Sequence, residues 1–260
     1  MYALSLKQMK EIKYIHSDIE RNLSSPKEIV PVLIHTFQPK SVVDMGCAHG
    51  AFLHVFAENG IQDILGIDGD WVNKEQLMIK PSQFETHDLE NKISLNRKFD
   101  LVVCLEVAEH LTESASDILV SNLIALGDII IFSAAIKNQT GQNHINEQPF
   151  SYWMKKFNQK GFLFYDAFRQ QFWNNSTIAW WYKQNMFLVA HENLDMHQYI
   201  PGIQPLKEVL EYVHPELMNT HYQNLEAYKI QNRKIRNGEL SLSFYMQLLK
   251  KKIYRKFFKK

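Results

Sequence analysis

Ser41-Val42-Val43-Asp44-Met45-Gly46-Cys47-Ala48-His49-Gly50 reads as a strand running into a tight turn, and the fold follows from it. Val42 and Val43 are β-branched and suit a buried strand, which Asp44 closes. Two glycines then let the chain swing into a helix expected over Ala51–Asn59. A strand–turn–helix of this kind forms the crevice in which open α/β sheets hold nucleotide-like ligands. A second strand, Ile64-Leu65-Gly66-Ile67-Asp68, also ends in an acid. Asp68 lies 24 positions after Asp44, close to the spacing at which a carboxylate meets a ribose hydroxyl pair. The implied ligand carries a ribose but does not demand the full glycine set of a pyrophosphate site.

Outward from this stretch the patterns alternate. Gln83–His87, Leu101–Leu105, Asp128–Ser133, Phe162–Phe168 and Asn185–His191 read as strands, with helices expected over Ser114–Leu126 and Phe150–Gln159. Such alternation implies a mostly parallel sheet with helices on both faces. Upstream, Met9, Ile12, Ile15 and Ile19 mark one face of a helix over residues 5–22, and Ser24-Ser25-Pro26 starts a second helix that ends before Pro39. Beyond about Asn193 the strand pattern gives way to helix. The expected division is a helical flank or lid over 1–38, a ligand-binding core over 39–192 and a helical appendage over 193–260.

The motifs resemble class I S-adenosylmethionine-dependent methyltransferases, whose first motif is acid-x-Gly-x-Gly-x-Gly. Asp44, Gly46 and Gly50 match it, with Ala48 in place of the middle glycine. Asp68 resembles the ribose-binding acid, His87-Asp88-Leu89 the adenine-side segment, and Phe99–Leu105 the fourth strand. The resemblance covers roughly residues 40–192 and implies a Rossmann-like, seven-stranded, mostly parallel sheet. It also implies S-adenosylmethionine as cofactor, held by Asp44, Gly46, Cys47, Gly50, Asp68, Gly69, Asp88, Leu89 and Leu105.

A second constellation follows the fourth strand. In Leu105-Glu106-Val107-Ala108-Glu109-His110 a helical turn would place Glu106, Glu109 and His110 at i, i+3 and i+4 on one face. Two carboxylates and an imidazole there suit a divalent cation. His144, in the loop after the fifth strand, can reach the same point, since loops after strands four and five are neighbours. The plainer alternative packs His110 behind the fourth strand and uses Glu109 as a helix cap. The set resembles the Glu-x-x-Glu-His and later His with which ubiquinone-pathway O-methyltransferases and small-RNA 2′-O-methyltransferases bind a magnesium-like ion. That resemblance implies Glu106, Glu109, His110 and His144 as ligands of Mg2+ or another divalent cation. His144–Trp153 looks more like methyltransferases of sugar, glycan and natural-product pathways. A sugar hydroxyl is a poor acid, and a nearby cation lowers its pKa. Glu109, His110 and His144 are the catalytic candidates, His144 serving either as ligand or as base.

Composition bounds the rest. The chain has 260 residues, 45% hydrophobic, with a formal charge of +1. Lys250–Lys260 holds seven Lys or Arg and no acid, so the balance of the chain is acidic and no broad basic face suggests nucleic acid. Apolar pairs at 248–249, 253–254 and 257–258 alternate with these cations, as in helices that lie on anionic membrane surfaces. A frayed solvated terminus and an RNA phosphate contact are the other readings of the tail. Cys47 and Cys104 read as buried thiols in a reducing cytoplasm. Neither a signal-peptide core nor an 18-residue apolar run is present, so a cytoplasmic protein, peripheral at the inner membrane face, is expected. Of Trp173, Trp180, Trp181 and Tyr182, most are expected in the core, with Tyr182 or Trp153 as a substrate wall.

The activity expected is O-methylation of a carbohydrate hydroxyl, in a glycan, a nucleotide sugar or a glycosylated small molecule. The alternatives are an RNA 2′-O-methyltransferase and a non-catalytic cofactor-binding scaffold.

Overall fold

The computed structural model describes residues 22–258. The apolar stripe Met9, Ile12, Ile15 and Ile19 and the last two lysines lie outside them. The elements run α1 (Ser24–Phe37), β1 (Ser41–Met45), α2 (Ala51–Glu58), β2 (Asp63–Asp68), β3 (Phe84–Thr86), β4 (Leu101–Leu105), α3 (Ser116–Leu126) and β5 (Ile129–Ser133). They continue with α4 (Phe150–Asn158), β6 (Phe162–Tyr165), α5 (Arg169–Phe172), α6 (Trp180–Asn185), β7 (Phe187–His191), α7 (Pro215–Arg236) and α8 (Leu242–Phe258). Seven strands form one sheet in the order β3-β2-β1-β4-β5-β7-β6. β1 to β5 pair in parallel, while β7 runs antiparallel to both β5 and β6.

Every residue of β1, β4 and β5 is buried, which is why these strands are continuously apolar rather than alternating. Successive side chains point to opposite faces and so feed two cores. Val43, Val102, Cys104, Ile130 and Phe132 pack with Leu119 and Leu123 of α3 and Trp153 and Phe157 of α4. Val42, Leu101, Val103 and Ile131 pack with Ile29 and Leu33 of α1 and Leu53 and Phe56 of α2. Trp153 is therefore fully buried and forms no wall for a substrate. Trp173, Trp180, Trp181 and Tyr182 are only half-buried, because they lie on and beside the short helices α5 and α6, outside the sheet.

α1 buries Ile29, Val30 and Leu33 completely and is a layer of the sheet's second core rather than a movable lid. The chain divides after His214, into a unit ending there and a second unit, Pro215–Lys260. The division falls later than residue 192 because Met196 is buried in the second core, with Leu194, Tyr199, Ile200 and Ile203 packed against it. β6 ends at Tyr165, earlier than expected, because Asp166 turns back to accept two hydrogen bonds from Arg169, at 3.0 and 2.6 Å.

The ring of Phe132 lies 5.5 Å from Trp153, 5.4 Å from Phe157 and 6.4 Å from Phe164. Phe132→Ala should destabilise the unit ending at His214 by about 3–5 kcal/mol. A urea transition would show this as a lower midpoint at unchanged slope, and an unmoved midpoint would mean that α4 is held by other contacts.

Candidate active site

The turn after β1 is built by backbone constraints. Gly46 has φ +83°, and a Cβ there would sit 2.3 Å from Val107 Cγ2, so the glycine lets the turn after β4 press against the turn after β1. The Gly46 amide donates to the Ile67 carbonyl at 2.7 Å and extends the β1–β2 ladder by one rung. Ala48 also takes a left-handed conformation, φ +49°, at a cost an L-residue rarely accepts. Its amide is held by Asp68, whose Oδ2 accepts it at 2.8 Å while Oδ1 accepts from Gly69 at 2.6 Å. Gly50 then serves as N-cap of α2.

Asp44 is buried beside this turn. Burial, and then the charge of Asp68, push its carboxyl up to about 8. Cys47 and Cys104 are free and buried, with thiols raised by burial and then by the neighbouring acids. They sit on opposite faces of the sheet and are inert packing groups. Leu89 and Leu105 are buried. Asp88 is exposed, and its carboxylate accepts from Glu90 N at 3.0 Å and Asn91 Nδ2 at 2.9 Å, forming a turn that sets Leu89 in place.

The turn after β4 differs from the helix expected there. Glu106 is left-handed, φ +55°, and only Ala108–His110 form a tight 3₁₀ turn, so helical spacing does not set Glu106 beside Glu109, although the two carboxyls lie within reach of one another. The structure brings Glu109, His110 and His144 together, with one ligand atom of each within 4.8 Å of the others. The His110 and His144 rings meet edge-on at 4.9 Å. The join is made by backbone: the amides of Ile145 and Asn146 donate to the Glu109 carbonyl, at 2.9 and 3.1 Å. Glu109 is fully buried, and neither carboxylate oxygen has a hydrogen bond of ordinary geometry. Burial, and then the charge of Glu106, push its carboxyl well above the usual range. A divalent cation among these three groups would relieve that burial, so the donor set fits one.

Glu106 instead belongs to a buried amide network that its sequence position did not announce. Its oxygens accept from Asn185 Nδ2 at 3.1 and 3.2 Å and from Gln139 Nε2 at 3.1 Å. Gln184 Nε2 donates to Asn185 Oδ1 at 2.9 Å. Burial pushes the Glu106 carboxyl up to about 7, against the lowering effect of these donors. Asn185 arrives here because β7 is antiparallel, so residues just before it meet residues just after β4 and β5. Glu147 was missed as well. Its Oε1 accepts from His144 Nδ1 at 2.8 Å and from the Thr140 amide, and its Oε2 accepts from the Asn138 amide at 2.8 Å. The His144 ring lies over Gly141, where a Cβ would fall 2.1 Å from Nε2. The spacing His144–Glu147 was the visible signal, an acid three positions after a candidate ligand.

The model of a methyltransferase domain family matches residues 14–192. The chain belongs to that family. It is a methyltransferase, an enzyme whose cofactor is S-adenosylmethionine, and the acids and tight turns at the ends of β1 and β2 suit that cofactor's ribose and positive sulfonium. No curated protein sequence matches significantly. Among solved structures, the chain is similar to an O-methyltransferase family protein from Burkholderia thailandensis, at 12% identity and TM-score 0.49, covering 67% of this chain and 57% of that one. The methyltransferase domain of bacterial CtHen1 is 16% identical, TM-score 0.49, over 65% of this chain and all of that one (100%). Magnesium protoporphyrin IX methyltransferase of Synechocystis PCC 6803 with bound S-adenosylmethionine is 20% identical, TM-score 0.45, over 71% and 88%.

A raised carboxyl makes stability depend on pH. Folded Asp44 keeps its proton up to about pH 8, against 3.8 for an ordinary aspartate. Its contribution to stability is therefore present at low pH and is lost as pH rises through that window. Without cofactor, Asp44→Asn should gain on the parent between pH 5 and pH 8, compared by urea midpoints. A constant difference between the two proteins would show that Asp44 titrates normally.

Proposed function

We propose that this methyltransferase acts on a hydroxyl of a carbohydrate, carried by a glycan, a nucleotide sugar or a glycosylated small molecule and handled beside an anionic membrane. The observation that carries the hydroxyl chemistry is the convergence of Glu109, His110 and His144 within 4.8 Å, next to the turn whose Val107 touches Gly46. When bound, S-adenosylmethionine supplies a methyl group already activated for nucleophilic attack, so the acceptor oxygen needs only alignment and loss of its proton. When bound, a divalent cation such as Mg2+ supplies the positive charge that makes a hydroxyl acidic enough to lose that proton near neutral pH. Glu109, His110 and His144 are the residues that would hold it.

The protein's own part is electrostatic and positional. Glu147 accepts two backbone amides besides the imidazole, which fixes it as the acceptor and His144 Nδ1 as the donor. Nε2 is then the basic nitrogen of His144, free to ligate or to take a proton. Asn185 and Gln139 hold Glu106 beside this group, where its negative charge favours cations. The half-exposed rings of Trp180, Trp181 and Tyr182 support a carbohydrate acceptor, since sugars stack their apolar faces on aromatic rings. Tyr182 packs edge-on at 5.5 Å against Phe52, on the first turn of α2 beside the cofactor crevice.

Methyl transfer to a panel of nucleotide sugars, lipid-linked glycans and RNA, with and without a chelator, tests this reading. Sugar methylation that the chelator abolishes and Mg2+ restores is the expected result. His144→Ala should lower kcat by about 100- to 10,000-fold, and Glu147→Gln by about 10- to 100-fold through loss of ring orientation. Both variants should bind S-adenosylmethionine normally in a calorimeter, whereas Asp68→Ala should lose that binding. Methylation of RNA 2′-hydroxyls and of no sugar would overturn the carbohydrate assignment. Full activity in chelator would overturn the cation.

A further inference from the structure

The second unit carries a surface that the catalytic chemistry does not use. In α8, Leu242, Met246, Leu249 and Ile253 recur at i, i+4, i+7 and i+11, so they form one stripe along the helix. All four are exposed, at 79%, 48%, 51% and 47%. Lys250 and Lys252 flank the stripe, and Lys251 stands behind it. From Leu242 to Lys260 the sequence has seven Lys or Arg and no acid.

We propose that α8 binds the surface of an anionic bilayer, lying flat with Leu242, Met246, Leu249 and Ile253 among the lipid headgroups and upper acyl chains. At 17 residues the helix is about 25 Å long, and no described helix is long and apolar enough to cross a membrane. It therefore lies on the bilayer and does not span it. Charge complementarity selects the partner. Two copies of so basic a helix repel one another, which disfavours self-association through this face. RNA phosphates would satisfy the lysines but leave the apolar stripe in water. An anionic bilayer satisfies both. α7 shows the contrast: it too exposes apolar side chains, Met218, Tyr222, Leu225 and Tyr228, but it carries the acids Glu216 and Glu226 along that stretch and its Lys and Arg only from Lys229 onward, so it lacks the single-sign field. The membrane-side substrate suggested above fits this placement, while the surface itself rests on α8 alone.

The full chain should co-sediment with vesicles of 30% phosphatidylglycerol in phosphatidylcholine and not with pure phosphatidylcholine. Replacing Lys250, Lys251 and Lys252 by Gln should weaken binding by about a hundredfold, at about fivefold per cation. The double variant Leu249→Glu, Ile253→Glu should abolish it. Calorimetric affinity for S-adenosylmethionine, unchanged in both variants, shows that the catalytic unit is intact and separates failure of this surface from failure of the catalytic reading. Equal binding to neutral vesicles would overturn the proposal. So would undiminished binding by the glutamate variant, or tight binding to an RNA oligomer that the glutamate substitutions leave untouched. Sedimentation of a dimer that those substitutions dissolve would assign the face to a second copy instead.

Discussion

The hydrogen bond from the Ala48 amide to Asp68, 2.8 Å, is the joint on which the cofactor crevice depends. Ala48 occupies a backbone conformation that glycine would take without cost. What holds it there is a carboxylate at the end of the neighbouring strand, fixed in turn by the parallel register that pairs Asp44 with Gly66 and Met45 with Ile67. The β1–β2 pairing thus sets the distance between the two strand ends, and Asp68 converts that distance into a shaped turn. One acid shapes the loop from both of its oxygens.

A second joint does the same for the turns after β4 and β5. The Glu109 carbonyl accepts two amides from the loop after β5, and this backbone clamp, with the Asn146 side chain donating to the Ala108 carbonyl at 3.3 Å, brings His144 to His110. Glu147 then grips two further amides of that loop while orienting the imidazole. The loop is thus pinned at one end by main-chain bonds and at the other by a carboxylate that accepts two amides. Rigid strands supply the edge, and the short turns on it supply the groups.

Much of this was legible in the chain. The alternation of apolar strands and helices, and the acids ending β1 and β2, give the sheet because buried parallel strands need continuous apolar runs and ligands collect at their carboxyl ends. The convergence of Glu109, His110 and His144 was also readable, since loops after adjacent strands are neighbours. Glu106 was less so: i, i+3, i+4 spacing implies a shared face only on a helix, and a left-handed residue after a strand breaks that rule. Asn185 and Gln184 gave no local signal at all. Their position depends on β7 entering the sheet antiparallel, which is a property of topology rather than of any window of sequence. The half-buried tryptophans misled for a related reason, because bulk and apolarity do not say whether a short helix lies over the sheet or beside it.

The electrostatics of the crevice give these joints their purpose. Asp44, Glu109 and Asp68 all add to burial in raising the Cys104 thiol, and the charge of Glu106 adds to burial in raising Glu109. Acids crowded away from water are unfavourable unless a positive partner is present or protons are taken up. Burial raises the carboxyls of Asp44, Glu106 and Glu109, the direction that favours their protonated forms. S-adenosylmethionine brings a sulfonium, and the proposed divalent cation would bring two further charges. Binding either should then release protons and stabilise the fold, since a ligand that binds only the folded state adds its binding energy to stability. The crowding of these acids is in this sense a source of affinity for a cationic ligand, held in place by a sheet whose central strands are wholly buried.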